Sequence, residues 1–334
     1  MRRSLVVAAA AVLALVAMMS TGSAHTTGSR RQTAPMHTAS SEGVPRLSHV
    51  FLIVGENTDY SDITPNSVPY LYSLKKRSAW LTDYFSLHHN SAGNYVGITS
   101  GQYTICEQQD VNPGVPCMQD VPNIFTEMDA ANESWRTWAE SMPYPCTTVS
   151  TGSDRNLNLY AAYHIPVLYF SNISAAECKS YVIPTGTTDP NDMTYLNDTL
   201  ARGHTVATRK IARFNLIIPN KCEDAHDVCH QSPVNGRLKQ FDDFLRREIP
   251  LIEQSRSFDD HSLIVIVFDE GSGGAVGTPP KQVVMMMIGG RISPGVYGGR
   301  FDHYSLLRTL QDGFGLQPYL GGAASADPIN TVWK

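Results

Sequence analysis

Three short apolar runs constrain this chain more than any other feature. Val50-Phe51-Leu52-Ile53-Val54 (preceded by His49), Ile264-Val265-Ile266-Val267-Phe268 and Val283-Val284-Met285-Met286-Met287-Ile288 show no polar–apolar alternation. A strand wetted on one side alternates, whereas a strand buried on both sides does not. Asn215-Leu216-Ile217-Ile218 is a weaker fourth run. Between them lie helical patterns: Ile124, Phe125, Met128, Trp135 and Trp138; Leu238, Phe241, Phe244, Leu245, Ile249 and Ile252; and the amphipathic stretch Tyr304 to Phe314. Buried strands alternating with helices predict an α/β fold, a three-layer α/β/α sandwich around a mostly parallel sheet. The 42% hydrophobic content is enough for the sizeable core this demands.

The start of the chain reads as an export signal. Arg2 and Arg3 precede an apolar run from Leu5 to Met19, and Gly22-Ser23-Ala24 offers a cleavage site after Ala24. The run is too short to span a bilayer comfortably, and no other stretch looks transmembrane. Residues 25–45 are polar and lack periodicity, which suits a flexible mature N-terminus. Residues 46–334 are then expected to form a single domain. All six cysteines (106, 117, 146, 178, 222, 229) fall in the mature part, so disulfides are expected. Of about 15 connectivities, we expect neighbour pairing: 106–117, 146–178 and 222–229. The stretch 104–190, rich in Pro, Cys, Asn and Tyr, is expected to be a disulfide-stapled cap. A formal charge of −5 argues against a sequence-independent nucleic-acid binder, which needs a Lys/Arg surplus.

Ligands in open α/β sheets bind outside the carboxyl ends of the strands. The first run ends in Gly55-Glu56-Asn57, which offers hard oxygen ligands, or alternatively a simple turn. The run from Ile264 ends in Asp269-Glu270, two adjacent carboxylates that repel unless a cation or a proton intervenes. Ser91 precedes a short helical pattern. It is either an ordinary N-cap or a nucleophile at a helix start that favours phosphate. Asn220, Asp224, His226 and Asp227 follow the run ending at Pro219, and Asp302-His303-Tyr304 opens the last helix. Each could be a metal ligand, a phosphate ligand or a general acid.

Together these segments resemble the bacterial phosphoesterase family of secreted acid phosphatases and phospholipases C, within the alkaline-phosphatase-like superfamily. Five segments match in order: Glu56-Asn57; His89-Asn90-Ser91-Ala92-Gly93-Asn94-Tyr95 with Thr99-Ser100-Gly101; Pro219 to Asp227; Asp269-Glu270; and His303-Tyr304-Ser305 with Phe314-Gly315-Leu316. The nucleophile segment departs from the family pattern in having Asn90 and Gly93 where prolines are typical, and Gly93 is expected to loosen the helix start.

The resemblance implies an exported, metal-dependent phosphoesterase working through a phosphoserine at Ser91. It implies Glu56, Asn57, Asp269 and Glu270 as ligands of a divalent ion, with Mg, Ca or Mn favoured over Zn for an oxygen set. Asn94 is expected to donate to a phosphate oxygen. His303 and His226 are candidates for phosphate contact or leaving-group protonation, and His89 is a weaker one. The substrate is then a small-molecule or lipid phosphate ester. The compact length favours a phosphomonoesterase over a phospholipase C. An inactive exported phosphate- or glycan-binding protein is the reading from another class. A sulfatase is disfavoured, because sulfatases need a Cys or Ser in a different motif.

Overall fold

The computed structural model describes residues 42–103, 109–151, 159–186, 193–202, 211–229, 236–275 and 278–334. Its strands, in chain order, are β1 Val50–Gly55, β2 Ala79–Leu81, β3 Tyr84–Phe85, β4 Trp135–Ala139, β5 Val182–Pro184, β6 Phe214–Ile218, β7 Leu263–Phe268, β8 Met285–Gly289, β9 Gly295–Tyr297 and β10 Phe301–Asp302. Its α-helices are α1 Pro69–Leu74, α2 Ser91–Ser100, α3 Ile124–Ala130, α4 Ala175–Tyr181, α5 Thr194–Arg202, α6 Arg237–Gln254 and α7 His303–Phe314.

Eight strands form one sheet in the order β5-β4-β6-β1-β7-β8-β2-β9. Pairing is parallel from β5 through to β7, and β8 alone runs against its neighbours. The four apolar runs are the inner strands β1, β6, β7 and β8. Nearly every residue in them is buried, which requires cover on both faces. That cover comes from two packed groups of helices, α1 with α5 and α6, and α2 with α3 and α7, giving three layers. The described residues belong to one compact unit, Thr38–Lys334. Val44 and Leu47 are already buried, so packing begins just inside the stretch 25–45 expected to be flexible. Residues 1–24 and the rest of the chain up to residue 41 lie outside the described residues.

One helical reading is corrected. The pattern from Ile124 to Trp138 splits into α3 and strand β4, with Trp135 opposite Phe214 and Trp138 opposite Ile217. Asn132 adopts a positive φ of 55°, which ends helical geometry between the two halves. The indoles of Trp135 and Trp138 then bond to Asp129 and Asn215. Strands β4 and β5 also place part of the stretch 104–190 inside the central sheet.

Disulfides join Cys146 to Cys178 and Cys222 to Cys229, as neighbour pairing anticipates. Cys117 is also disulfide-bonded, while Cys106 lies outside the described residues.

Candidate active site

The site grows from the carboxyl ends of three adjacent parallel strands, β6, β1 and β7. Their register aligns Gly55 with Phe268, so the residues that follow emerge side by side. The Asp269 N–H donates to the Gly55 carbonyl at 2.9 Å, and the Glu56 N–H donates to the Asp224 carbonyl at 2.7 Å. Position 55 must be glycine, because a Cβ there would come within 2.8 Å of the Phe268 ring. Asn57 then turns at φ 48°, a left-handed conformation that asparagine tolerates. Its N–H donates to Asp269 Oδ1 and its amide Nδ2 to Glu56 Oε2.

Helix α2 brings in the serine. Ser91 is its first residue, with Asn90 as the N-cap. The Ser91 hydroxyl donates to Glu56 Oε2 at 2.8 Å and lies 3.4 Å from Glu270 Oε1. His89 Nδ1 is 3.0 Å from Glu270 Oε2. The five residues Glu56, Asn57, Ser91, Asp269 and Glu270, expected together from sequence, therefore converge, with His89 at their edge.

Gly93 does not loosen this helix. All ten residues of α2 are buried, and a Cβ at position 93 would overlap the Tyr103 ring at 2.2 Å. The glycine admits that ring, which stacks on His88. Asn94 braces the loop before the helix. Its Oδ1 accepts from the Leu87 N–H, and its Nδ2 donates to the carbonyls of His88 and Asn90. Glu270 Oε2 lies 3.5 Å beyond that amide. The amides of a helix start attract an anion, and here Asp110 supplies one. Its carboxylate accepts from the Ala92 N–H and from Asn90 Nδ2, each at 2.9 Å.

His303 stands behind the cluster. It is fully buried, with Nε2 2.5 Å from the Asp269 carbonyl and Nδ1 2.9 Å from the Tyr84 hydroxyl. Burial pushes its pKa down to about 4, so it is neutral. An imidazole with both nitrogens engaged holds Asp269 in place and leaves no atom for a phosphate. His226 is partly exposed on the loop after β6. Its N–H donates to Asp224 Oδ1 and its ring pairs with Asp227.

Sequence reasoning overlooked His164. It ends a 3-10 turn, Ala162–His164, and stacks on Tyr95 of α2 at 5.1 Å. Its ring lies between Glu56 Oε1, 3.3 Å from Nε2, and Asp224 Oδ2, 3.4 Å from Nδ1. Glu56, His164 and Asp224 each offer a ligand atom within 4.8 Å of the others, so these three could hold a metal ion. The available signal was one histidine inside an otherwise apolar and aromatic stretch, Leu159 to Phe170.

The electrostatics also favour a cation. Glu56, Asp224 and Asp269 are fully buried and Glu270 nearly so. Among the described residues, no Lys or Arg forms a salt bridge with any of the four. Burial, then Asp269, Asp224 and Glu270, pushes the Glu56 carboxyl well up. Burial raises Asp224 to about 7 and Asp269 to about 8; burial with Asp269 and Asp110 raises Glu270 to about 10. Burial drives His164 well down, so it is neutral. Glu56 Oε1, Asp224 Oδ2, Asp269 Oδ2 and His164 Nε2 have no hydrogen-bond partner. Buried carboxyl oxygens without partners, crowded beside a neutral imidazole, suit a divalent ion.

Known proteins offer comparisons. A phosphatidylinositol-3-phosphatase from Mycobacterium tuberculosis is 26% identical over 293 residues, covering 87% of this chain and 84% of that protein. A phosphate-repressible acid phosphatase from Penicillium chrysogenum is 27% identical over 270 residues, covering 80% of this chain but 58% of that protein. Among solved structures, an alkaline phosphatase superfamily protein from Vibrio parahaemolyticus superposes with a TM-score of 0.56 at 10% identity, covering 83% of this chain and 69% of that one. A phosphonate monoester hydrolase from Silicibacter pomeroyi gives 0.51 at 14% identity, covering 84% and 76%. At such identities these two structures establish the fold alone. The sequence model of the Phosphoesterase family matches residues 58–317, most of the chain, and the chain belongs to that family.

Proposed function

We propose that this chain is an exported phosphatase that hydrolyses phosphate monoesters through a phosphoserine at Ser91. The observation that carries this reading is the Ser91 hydroxyl, 2.8 Å from Glu56 Oε2 at the N-terminus of a helix and inside a pocket of buried carboxyls. Attack on phosphorus forms the Ser91 Oγ–P bond and expels the alcohol oxygen of the ester. The hydroxyl proton passes to Glu56 Oε2, already in contact. Water then cleaves the Oγ–P bond, releasing phosphate and restoring the serine. His226, partly exposed on the loop after β6, is the candidate to protonate the leaving oxygen. His89 is available to contact the phosphoryl group. His303 and Asn94 act as positioning residues, one behind Asp269 and the other under the nucleophile loop.

A divalent ion held by Glu56, Asn57, Asp269 and Glu270 would lower the pKa of the serine hydroxyl and offset phosphoryl charge. That set consists of oxygens and favours Mg, Ca or Mn, whereas His164 adds a nitrogen donor that Zn also accepts. Acid-phosphatase names among the relatives, and a phosphatidylinositol phosphatase beside them, support small or lipid-headgroup monoesters as substrates. The disulfides and the signal-like residues 1–24 support export. Among the described residues no helix is long and apolar enough to cross a membrane.

The test is Ser91→Ala assayed on p-nitrophenyl phosphate. Activity within about tenfold of wild type would refute the nucleophile, since losing one normally costs far more. Phosphate release from a monoester, measured against phosphocholine release from a phospholipid, separates this reading from a phospholipase C. No turnover of either would point to a binding protein.

A further inference from the structure

The carboxylate at the start of α2 flanks the serine on both sides. Asp110 Oδ1 accepts from the Ala92 N–H and Oδ2 from Asn90 Nδ2, so the residues before and after Ser91 are tied to one side chain. A helix start is ordinarily capped by its own N-cap side chain, which accepts from an N–H two or three positions on. Asn90 is the N-cap here, yet its side chain makes no such bond. Its Oδ1 has no partner and its amide is turned to Asp110. The capping acceptor comes instead from a residue 18 positions away.

That carboxylate is anchored from behind. The Val111 carbonyl accepts the Tyr169 hydroxyl at 2.6 Å, and Asn112 Oδ1 accepts the Ser150 hydroxyl at 2.8 Å. Among the described residues Asp110 forms no salt bridge, so no lysine or arginine cancels its charge.

The Ala92 N–H is also an amide that a phosphoryl group on Ser91 would use. Ser91 is the first residue of the helix, and oxygens of a group esterified to its Oγ meet the N–H groups of the first turn. The pocket beside that turn calls for a ligand on separate grounds: Glu56 Oε1 and Asp269 Oδ2 are buried without partners, on fully buried residues. A carboxylate and a phosphoryl dianion compete for one N–H, and at that distance they repel.

We propose that Asp110 sets how tightly this site holds a phosphoryl group, because its carboxylate stands in the place of one phosphoryl oxygen and must be displaced by it. This rests on the phosphatase reading above and deepens it. Rotation about the two side-chain bonds of Asp110 is enough for displacement, with Val111 and Asn112 staying anchored. The arrangement follows from this chain's departure from its family pattern: the proline typical at position 90 has no side-chain amide to hold Asp110. The result is a site that releases inorganic phosphate readily.

The experiment uses the full chain and inorganic phosphate as the probe. Phosphate is measured as an inhibitor of p-nitrophenyl phosphate turnover, and its binding is measured directly by calorimetry. Asp110→Ala should lower the inhibition constant and the calorimetric Kd about tenfold, with KM falling in parallel and kcat not rising. Asn90→Ala removes one of the two donors to Asp110 and should shift the same constants in the same direction by about threefold. Near-UV circular dichroism checks folding. If Asp110→Ala does not fold, Asp110→Asn replaces it, since it keeps the shape and loses the charge, and the same direction is expected. A folded Asp110 variant whose phosphate binding is unchanged or weaker overturns the proposal and leaves Asp110 a helix cap, while wild-type turnover keeps the phosphatase reading intact. A wild-type chain that neither turns over the ester nor binds phosphate overturns both together.

Discussion

Two buried carboxyl clusters meet at the adjacent residues Glu223 and Asp224, and they are neutralised differently. In one, Glu223 accepts two contacts from Arg247 Nη2, at 2.7 Å each, and Glu140 accepts the Asn220 N–H. Glu248 flanks them, with Asn197 donating to its Oε1. In the other, Glu56, Asp224, Asp269 and Glu270 meet histidines and a hydroxyl, and among the described residues none of the four forms a salt bridge with an arginine or lysine. Burial raises carboxyl pKa values in both clusters. The difference is a permanent cation. A cluster closed by arginine needs nothing more and holds the fold. A cluster without such a cation is poised for an ion or a phosphoryl transfer.

The largest expected effect that would break this comparison is at Ser91. Ser91→Ala should lower kcat for an aryl phosphate on the order of 10³-fold or more, with the melting temperature nearly unchanged. Chelation comes next. Dialysis against EDTA should reduce turnover on the order of 10²-fold, with recovery on adding Mn. A chelated enzyme at full rate would make the two clusters equivalent in kind.

The arginine-closed cluster should respond in stability instead. Arg247→Met strands Glu223, which is 1% exposed, and should cost about 2 kcal/mol in urea unfolding, less than a fully buried pair because Arg247 is part-exposed. Activity per folded molecule should stay within a few-fold. A thousandfold loss there would contradict a purely structural role.

The smallest effect is at Glu248, whose pKa burial raises to about 7. The native state therefore holds a proton that the unfolded chain releases near pH 4–5, and this carboxyl lowers stability as pH rises from there to about 7. Glu248→Gln removes that penalty. Its melting temperature should match wild type near pH 4 and exceed it at pH 8. Equal melting temperatures at both would show that Arg247 already neutralises Glu248.

Much of this was legible in the chain. An apolar run without alternation can only be satisfied by burial on both faces, so β1, β7 and β8 were readable, and with them the parallel sheet. Ligands gather at the carboxyl ends of such strands, so Glu56, Asn57, Asp269 and Glu270 stood out as candidates by position, and the family resemblance implied a ligand role for them. Trp135 and Trp138 misled because a spacing of three suits a helix, and the break at Asn132 depends on a backbone angle that composition does not reveal. His164 stayed hidden because it sits in an apolar stretch with no motif, and only folding stacks it on Tyr95 beside Glu56.

Periodicity and strand-end chemistry are local properties, and so the sequence by itself determined the layered fold and picked out the candidate serine and acidic residues. Orientation was decided by the tertiary structure. It turned His303 to the back of Asp269, spent the Asn94 amide on a loop, set Asp110 on the first amides of α2 and aimed the two oxygens of Glu56 in different directions. Those outcomes depend on contacts between residues far apart in the chain, and such contacts exist only once the strands have paired.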